Sequence, residues 1–105
     1  MKLYEIQLPT TANDGYPYAD RLKTWEARCL KIAGGFSRAQ EVTGYWSDNG
    51  QTYVDAMVPY RVACSPAHFA AILDEAFRLF PDQLAIFTAE IGSATIHERK
   101  VLANA

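Results

Sequence analysis

From Gly34 to Cys64 the chain reads as the stop of one helix feeding a long β-hairpin. Gly34-Gly35-Phe36-Ser37 leads into a first strand from Arg38 to Trp46, a turn at Ser47-Asp48-Asn49-Gly50, and a second strand from Gln51 to Cys64. In the second strand, alternation places Val54, Ala56, Val58, Tyr60, Val62 and Cys64 on one apolar face. Tyr53, Asp55, Met57 and Arg61 fall on the other. Pro59 interrupts the run and predicts a bulge or an unpaired position.

The segments on either side complete the pattern. Leu3 to Leu8 alternates, with Tyr4, Ile6 and Leu8 on one face, and Pro9 ends it as a half-buried strand. Thr10 to Tyr18 is a polar loop with the turn signature Asn13-Asp14-Gly15. From Pro17 to Ala33 the period becomes helical: Leu22, Trp25, Cys29 and Ile32 share a stripe, with Pro17 in the first turn and Gly34-Gly35 as the left-handed stop. Glu26 beside the stripe reads as a solvated acid. Ser65-Pro66 opens a second helix as N-cap and first helical residue, and Phe69, Ile72, Leu73, Ala76, Phe77 and Phe80 form its buried stripe. Leu84 to Ile91 is a last strand, Gly92-Ser93 a break, and Ala94 to His97 a further extension of the sheet.

The order β-α-β-β-α-β, with one apolar stripe per helix, predicts an α+β fold of ferredoxin-like type. Four antiparallel strands form the sheet and both helices cover one face. A chain of 105 residues holds one such domain. It is expected over residues 1–97, with a frayed tail over 98–105. Half the residues are apolar, enough for a core without disulfides or metals. Cys29 and Cys64 therefore read as reduced, buried thiols.

The net charge of −2, with acids and bases interspersed, offers no field for nucleic acid or an acidic membrane. The alternating N-terminus lacks the apolar run of a signal peptide, and no stretch matches a membrane span. A cytoplasmic location is expected. Gly34-Gly35 follows a helix instead of preceding one, so it presents carbonyls and is no phosphate cradle. His68 and His97 have no ligand at metal-binding spacing, and no nucleophile-base pair is recognisable, so no metal or cofactor is expected. An RNA-recognition sheet would need basic residues around its aromatics, whereas here an acid, Asp55, sits in the middle.

The face of the sheet away from the helices is where function is to be sought. It carries Leu3, Tyr53, Met57, Phe87 and Ile91, an apolar set that calls for a cover. The most economical cover is a second copy, giving a homo-oligomer through this face or the last strand. Asp55, between Tyr53 and Met57, is the candidate acid. Its partner is Arg61 or a residue across the interface, or else it acts as a general base or cation anchor in an inter-subunit pocket. Tyr53, Met57, Tyr60 and Trp46 would wall that pocket around a small-molecule ligand.

The succession Asn13-Asp14-Gly15, Trp25-Glu26, Gly34-Gly35-Phe36-Ser37, Gly44-Tyr45-Trp46, Tyr53-x-Asp55 and Tyr60-Arg61-Val62 resembles a group of short bacterial and phage proteins of ferredoxin-like fold. That resemblance spans residues 3 to 90 and implies a fold without an activity. Thr43-Gly44-Tyr45 ahead of the hairpin, with Asp55 near the start of the third strand, is also similar to the phage S-adenosylmethionine lyases. In that family ligand is held between subunits, but a glutamate serves where this chain has an aspartate. A third similarity is to the dimeric αβ-barrel class, in which a cavity on the open face holds a small aromatic or haem-like ligand, usually with a histidine. The functional expectation is an interaction or small-molecule-binding module. The alternative is a small-molecule enzyme with an inter-subunit site, and the residues leave open whether the protein is an enzyme.

Overall fold

The computed structural model describes residues 1–99. In chain order it contains β1 (Lys2–Pro9), α1 (Ala19–Ala33), β2 (Ser37–Arg38), β3 (Val42–Asp48), β4 (Gln51–Cys64), α2 (Pro66–Leu79) and β5 (Thr88–Ser93). β2 and β3 both pair with β4 on the edge away from β1, and β1 lies between β4 and β5. All these pairings are antiparallel. Taking β2 and β3 as one interrupted strand, this is the ferredoxin-like order, with five strand segments where four were expected.

The interruption has a backbone cause. Three residues, Ala39 to Glu41, stand opposite two, Val58 and Pro59, because Arg38 pairs with Tyr60 while Val42 pairs with Met57. Pro59 accepts a hydrogen bond from the Ala39 nitrogen at 2.9 Å, yet it has no N–H to return on that edge. The proline thus leaves its own strand continuous and breaks the neighbour instead.

The two helices pack on the face of Tyr4, Ile6, Leu8, Val58, Tyr60 and Val62, all buried. Leu22, Trp25 and Cys29 from α1 and Phe69, Ile72 and Ala76 from α2 meet them there. The Tyr4 and Phe69 rings stack with centroids 4.1 Å apart. Ser65 caps α2 by accepting from the His68 backbone nitrogen, and Gly34, at φ 85°, closes α1 by donating to the Leu30 carbonyl. Cys29 and Cys64 are free and buried.

Several expected boundaries shift. α1 begins at Ala19, so Pro17 precedes the helix and bridges to Thr11. Phe77 is exposed instead of joining the buried stripe. β5 starts only at Thr88, and Leu84 is 98% exposed, because the chain from α2 must first travel back to the sheet. Gly92 and Ser93, expected as a break, pair with Leu3 and Lys2, while the bulge falls between the Leu3 and Tyr4 pairings. Ala94 to His97 forms no strand, though the Ala94 nitrogen donates to the Met1 carbonyl. Glu98 and Arg99 carry no regular structure, and the rest of the expected tail lies outside the described residues.

Candidate functional site

β4 is longer than the layer that covers it. Its 14 residues span ~46 Å, whereas the 15 residues of α1 reach only ~22 Å. Burial shows which end projects: Gln51 to Asp55 are all exposed, and Met57 to Tyr60 are all buried. β1 ends at Pro9 opposite Met57 and the Thr10 nitrogen still donates to the Ala56 carbonyl at 3.1 Å, but beyond Ala56 only β3 flanks β4 among the described residues. The result is a two-stranded arm, closed by Asn49 and Gly50 with φ of 51° and 76°, the paired positive angles of a tight hairpin turn.

The arm is apolar on both sides. Cross-strand pairing puts Val42, Trp46, Tyr53, Asp55 and Met57 on the side continuous with the open face, and Tyr45 and Val54 on the other. Tyr45 is 72% exposed, Val54 57%, Tyr53 46% and Trp46 39%. Val54 was expected in the core from alternation alone. It lies in the correct phase, but no described helix reaches that far.

Four of the five candidate residues therefore share one surface. Trp46 and Tyr53 are direct cross-strand partners, and Asp55 sits opposite Gly44. A Cβ at Gly44 would stand 3.5 Å from the Met57 Cγ and 3.6 Å from the Trp46 Nε1, so indole and thioether close over the glycine. Met57 is buried there. Asp55 is exposed and has no side-chain partner among the described residues. Arg61, expected as its partner, is paired with Glu5 at 3.4 Å, and Gln7 holds the other Glu5 oxygen at 3.1 Å.

Tyr60 does not join the other four. It faces the helices at zero exposure, with its ring centroid 4.6 Å from that of Trp25 and 5.6 Å from that of Phe36. Its hydroxyl donates to the Glu26 Oε2 at 2.6 Å, and the Arg38 Nη1 donates to the same oxygen at 2.7 Å. Burial, and then the Glu26 carboxylate, push the Tyr60 phenol well above its ordinary range. Glu26, expected as a solvated acid, is the hub that ties α1 to β2 and β4. Nothing local in the sequence marks it, since its partners lie 12 and 34 positions away.

A second constellation escaped the sequence reading for the same reason. Asp82 accepts from the Tyr18 hydroxyl and, at 3.0 Å, from the Asn13 backbone nitrogen, while Asn13 Nδ2 donates to the Asp82 carbonyl at 3.2 Å. Burial raises the Tyr18 phenol to about 12, with Asp82 adding to it. Partial burial pushes Asp82 upward, but the hydrogen bonds outweigh it and hold the carboxyl below its usual value. This clasp fastens the loop after β1 to the end of α2 beside a shallow hollow of about 380 Å³. Its polar groups are spent on one another, so it is built as a structural joint. Among the described residues no group of three or more His, Cys, Asp or Glu could hold a metal ion. No described helix is long and apolar enough to cross a membrane.

No family model matches the chain. No curated protein sequence matches it significantly either. Solved structures do match in fold. The divalent cation tolerance protein Cut A1 from Thermus thermophilus superposes with a TM-score of 0.66 at 13% identity, covering 94% of this chain and 86% of that one. The periplasmic divalent cation tolerance protein CutA from Archaeoglobus fulgidus gives 0.63 at 13% identity, over 98% and 88%. The PII-like protein CutA from Nostoc sp. PCC 7120 gives 0.59 at 16% identity, over 87% and 79%. At these identities the likeness concerns the fold: over most of its length the chain follows a known small α+β architecture.

Proposed function

We propose that the protein is a homo-oligomeric interaction module whose copies assemble through the hairpin arm and the adjoining strip of open sheet face. The exposed arm carries this reading. A two-stranded ribbon on its own is marginal in water. This one presents Val42, Trp46 and Tyr53 on one side and Tyr45 and Val54 on the other, and the β4 edge from Gln51 to Asp55 has no neighbouring strand on the β1 side among the described residues. A second copy of the chain supplies both missing elements, apolar cover and strand edges, because each copy offers the same surface. Phe87, whose carbonyl accepts from the Gln7 nitrogen, extends the apolar strip onto the body of the open face.

The PII-like and cation-tolerance proteins of similar fold support a binding or regulatory module over a catalyst. The cation role is not carried over, because the described residues offer no ligand cluster. An S-adenosylmethionine lyase-like activity at Asp55 would require a partner copy to enclose that carboxylate, which is open to water in a single chain. The two free buried cysteines suit a reducing, cytoplasmic compartment.

The deciding experiment is sedimentation velocity at micromolar concentration. The expected species is a multiple of 11.7 kDa, and a Trp46→Lys, Tyr53→Lys double variant is expected to sediment as a monomer with unchanged helical circular dichroism. A wild-type protein that sediments only as an 11.7 kDa monomer overturns the proposal.

A further inference from the structure

The end of the open face away from the arm holds a hollow of about 360 Å³. The sheet contributes Leu3, Ala63 and Arg61, the segment from α1 to β2 contributes Ala33 and Phe36, and the chain after β5 returns to place Ile96 there. The volume lies at the lower end of the range for small-molecule sites, ~300–1,000 Å³, which suits a metabolite smaller than a nucleotide.

Its charged groups have opposite signs on different sides. Arg61 touches Glu5 only through Nε, at 3.4 Å, and the side chain is 56% exposed. Both terminal nitrogens are unpartnered among the described residues, leaving the guanidinium fork available to a carboxylate. Across the hollow, α1 ends at Ala33. Gly34 satisfies the Leu30 carbonyl, and of the last-turn carbonyls that accept no backbone hydrogen bond among the described residues, that of Ala33 belongs to a residue lining the hollow. These oxygens carry the negative end of the helix dipole and attract a cation. The Glu5 carboxylate adds to the same preference and disfavours a dianion such as phosphate beside Arg61. Apart from Ser37, the rest of the lining is glycine or apolar.

We infer that this hollow is a binding site for an apolar α-amino acid, with its carboxylate on Arg61, its ammonium toward the C-terminal carbonyls of α1, and its side chain on Leu3, Ala63 and Ile96. A zwitterion answers both signs of charge at once, whereas a simple carboxylate or amine answers only one. The site lies within one chain, so the inference stands or falls separately from assembly through the arm.

Isothermal titration calorimetry of the full chain with L-leucine tests it, alongside 4-methylpentanoate (leucine without its amine), 3-methylbutylamine (leucine without its carboxylate) and inorganic phosphate. Leucine is expected to bind saturably, and each of the other three about tenfold or more weakly, the scale of one lost charge-assisted hydrogen bond. Arg61→Gln is expected to abolish binding. Ala63→Leu, which fills the hollow without touching a charge, is expected to do the same with circular dichroism unchanged. No binding by leucine, isoleucine or phenylalanine overturns the inference. So does equal binding of 4-methylpentanoate or phosphate, or undiminished binding in either variant.

Discussion

The indole Nε1 of Trp25 donates a hydrogen bond of 3.1 Å to the backbone carbonyl of Ile72, joining the two helices at a point no solvent reaches. Trp25 also packs its ring against Tyr60 and Phe36, so one side chain links both helices and the sheet. Trp25→Phe removes the donor and leaves a gap in a close-packed interior. The expected cost is about 2–3 kcal/mol, the joint scale of a buried hydrogen bond and a partial cavity. In a domain of this size that lowers Tm by roughly 10–20 °C, measurable by thermal unfolding followed by circular dichroism.

Glu26 is expected to behave as a hub. Tyr60→Phe keeps the ring and deletes only the hydroxyl bonded to Glu26, at a cost of about 1.5–3 kcal/mol for a charged hydrogen bond. Glu26→Gln leaves Arg38 without its ion pair and is expected to weaken the anchorage of β2 on α1. A double-mutant cycle over Tyr60→Phe and Glu26→Gln should show a coupling of about 1 kcal/mol, since the pair is in direct contact. Strictly additive denaturation free energies would mean that the two act independently.

What could be read from the sequence follows from how far each signal reaches. Ser65-Pro66, Gly34 and Asn49-Gly50 encode caps and a turn within a few residues, and each sits where the pattern placed it, although Ser47 and Asp48, expected in the turn, extend β3 instead. The alternation of Tyr4, Ile6 and Leu8 likewise named the buried face. Alternation reports a side, not whether that side is covered. Val54 and Tyr60 share a phase in β4, yet one is mostly exposed and the other sealed, because the helices stop short of the arm. The Glu26–Tyr60 and Tyr18–Asp82 contacts join residues 34 and 64 positions apart and depend on the assembled tertiary structure. Pro59 was legible as a disturbance, but which strand would yield depended on which edge its missing N–H faced.

Alkaline pH is expected to destabilise the protein ahead of general deprotonation of its surface. Burial, with smaller effects from Cys64 and Glu26, raises the Cys29 thiol from 9.0 to about 12. A folded-state value above the unfolded one means that this contribution is complete below pH 9.0 and is lost as pH rises from there to about 12. The phenol of Tyr18, raised from 10.0 to about 12, acts in the same sense over the upper part of that window. Tm measured against pH should therefore fall from about pH 9.0 in the wild type, and in Cys29→Ala the fall over the same window should be shallower, because the buried Cys64 thiol, also raised from 9.0, remains. An aromatic disulfide reagent should leave the native thiols unreacted at neutral pH and titrate both after denaturation.

The acid limb should report the clasp. Hydrogen bonds from Tyr18 and Asn13 hold the folded Asp82 carboxyl below its unfolded value of 3.8 despite partial burial. Its contribution is thus present above pH 3.8 and lost as pH falls through the depressed folded value. Asp82→Asn should flatten the acid limb of a Tm-against-pH curve and, because Asp82 also helps raise the Tyr18 phenol, should alter the alkaline limb only in its upper part. An acid limb identical to that of the wild type would assign acid sensitivity to other carboxylates.

The arm should separate stability from association. Gly50 closes the hairpin at φ 76°, and a Cβ there would meet no atom within 4 Å, so Gly50→Ala is penalised by backbone conformation alone. Left-handed backbone costs a non-glycine residue about 1–2 kcal/mol. The cost falls on the tip of β3 and the first residues of β4, which lie beyond the reach of both helices. Global Tm of a monomeric background such as the Trp46→Lys, Tyr53→Lys variant should therefore scarcely change when Gly50→Ala is added. In the wild-type background the same substitution loosens the surface proposed to join copies, so the concentration for half-assembly should rise about fivefold to thirtyfold. Sedimentation over a dilution series measures that shift. An unchanged dissociation constant would show that assembly does not use the arm.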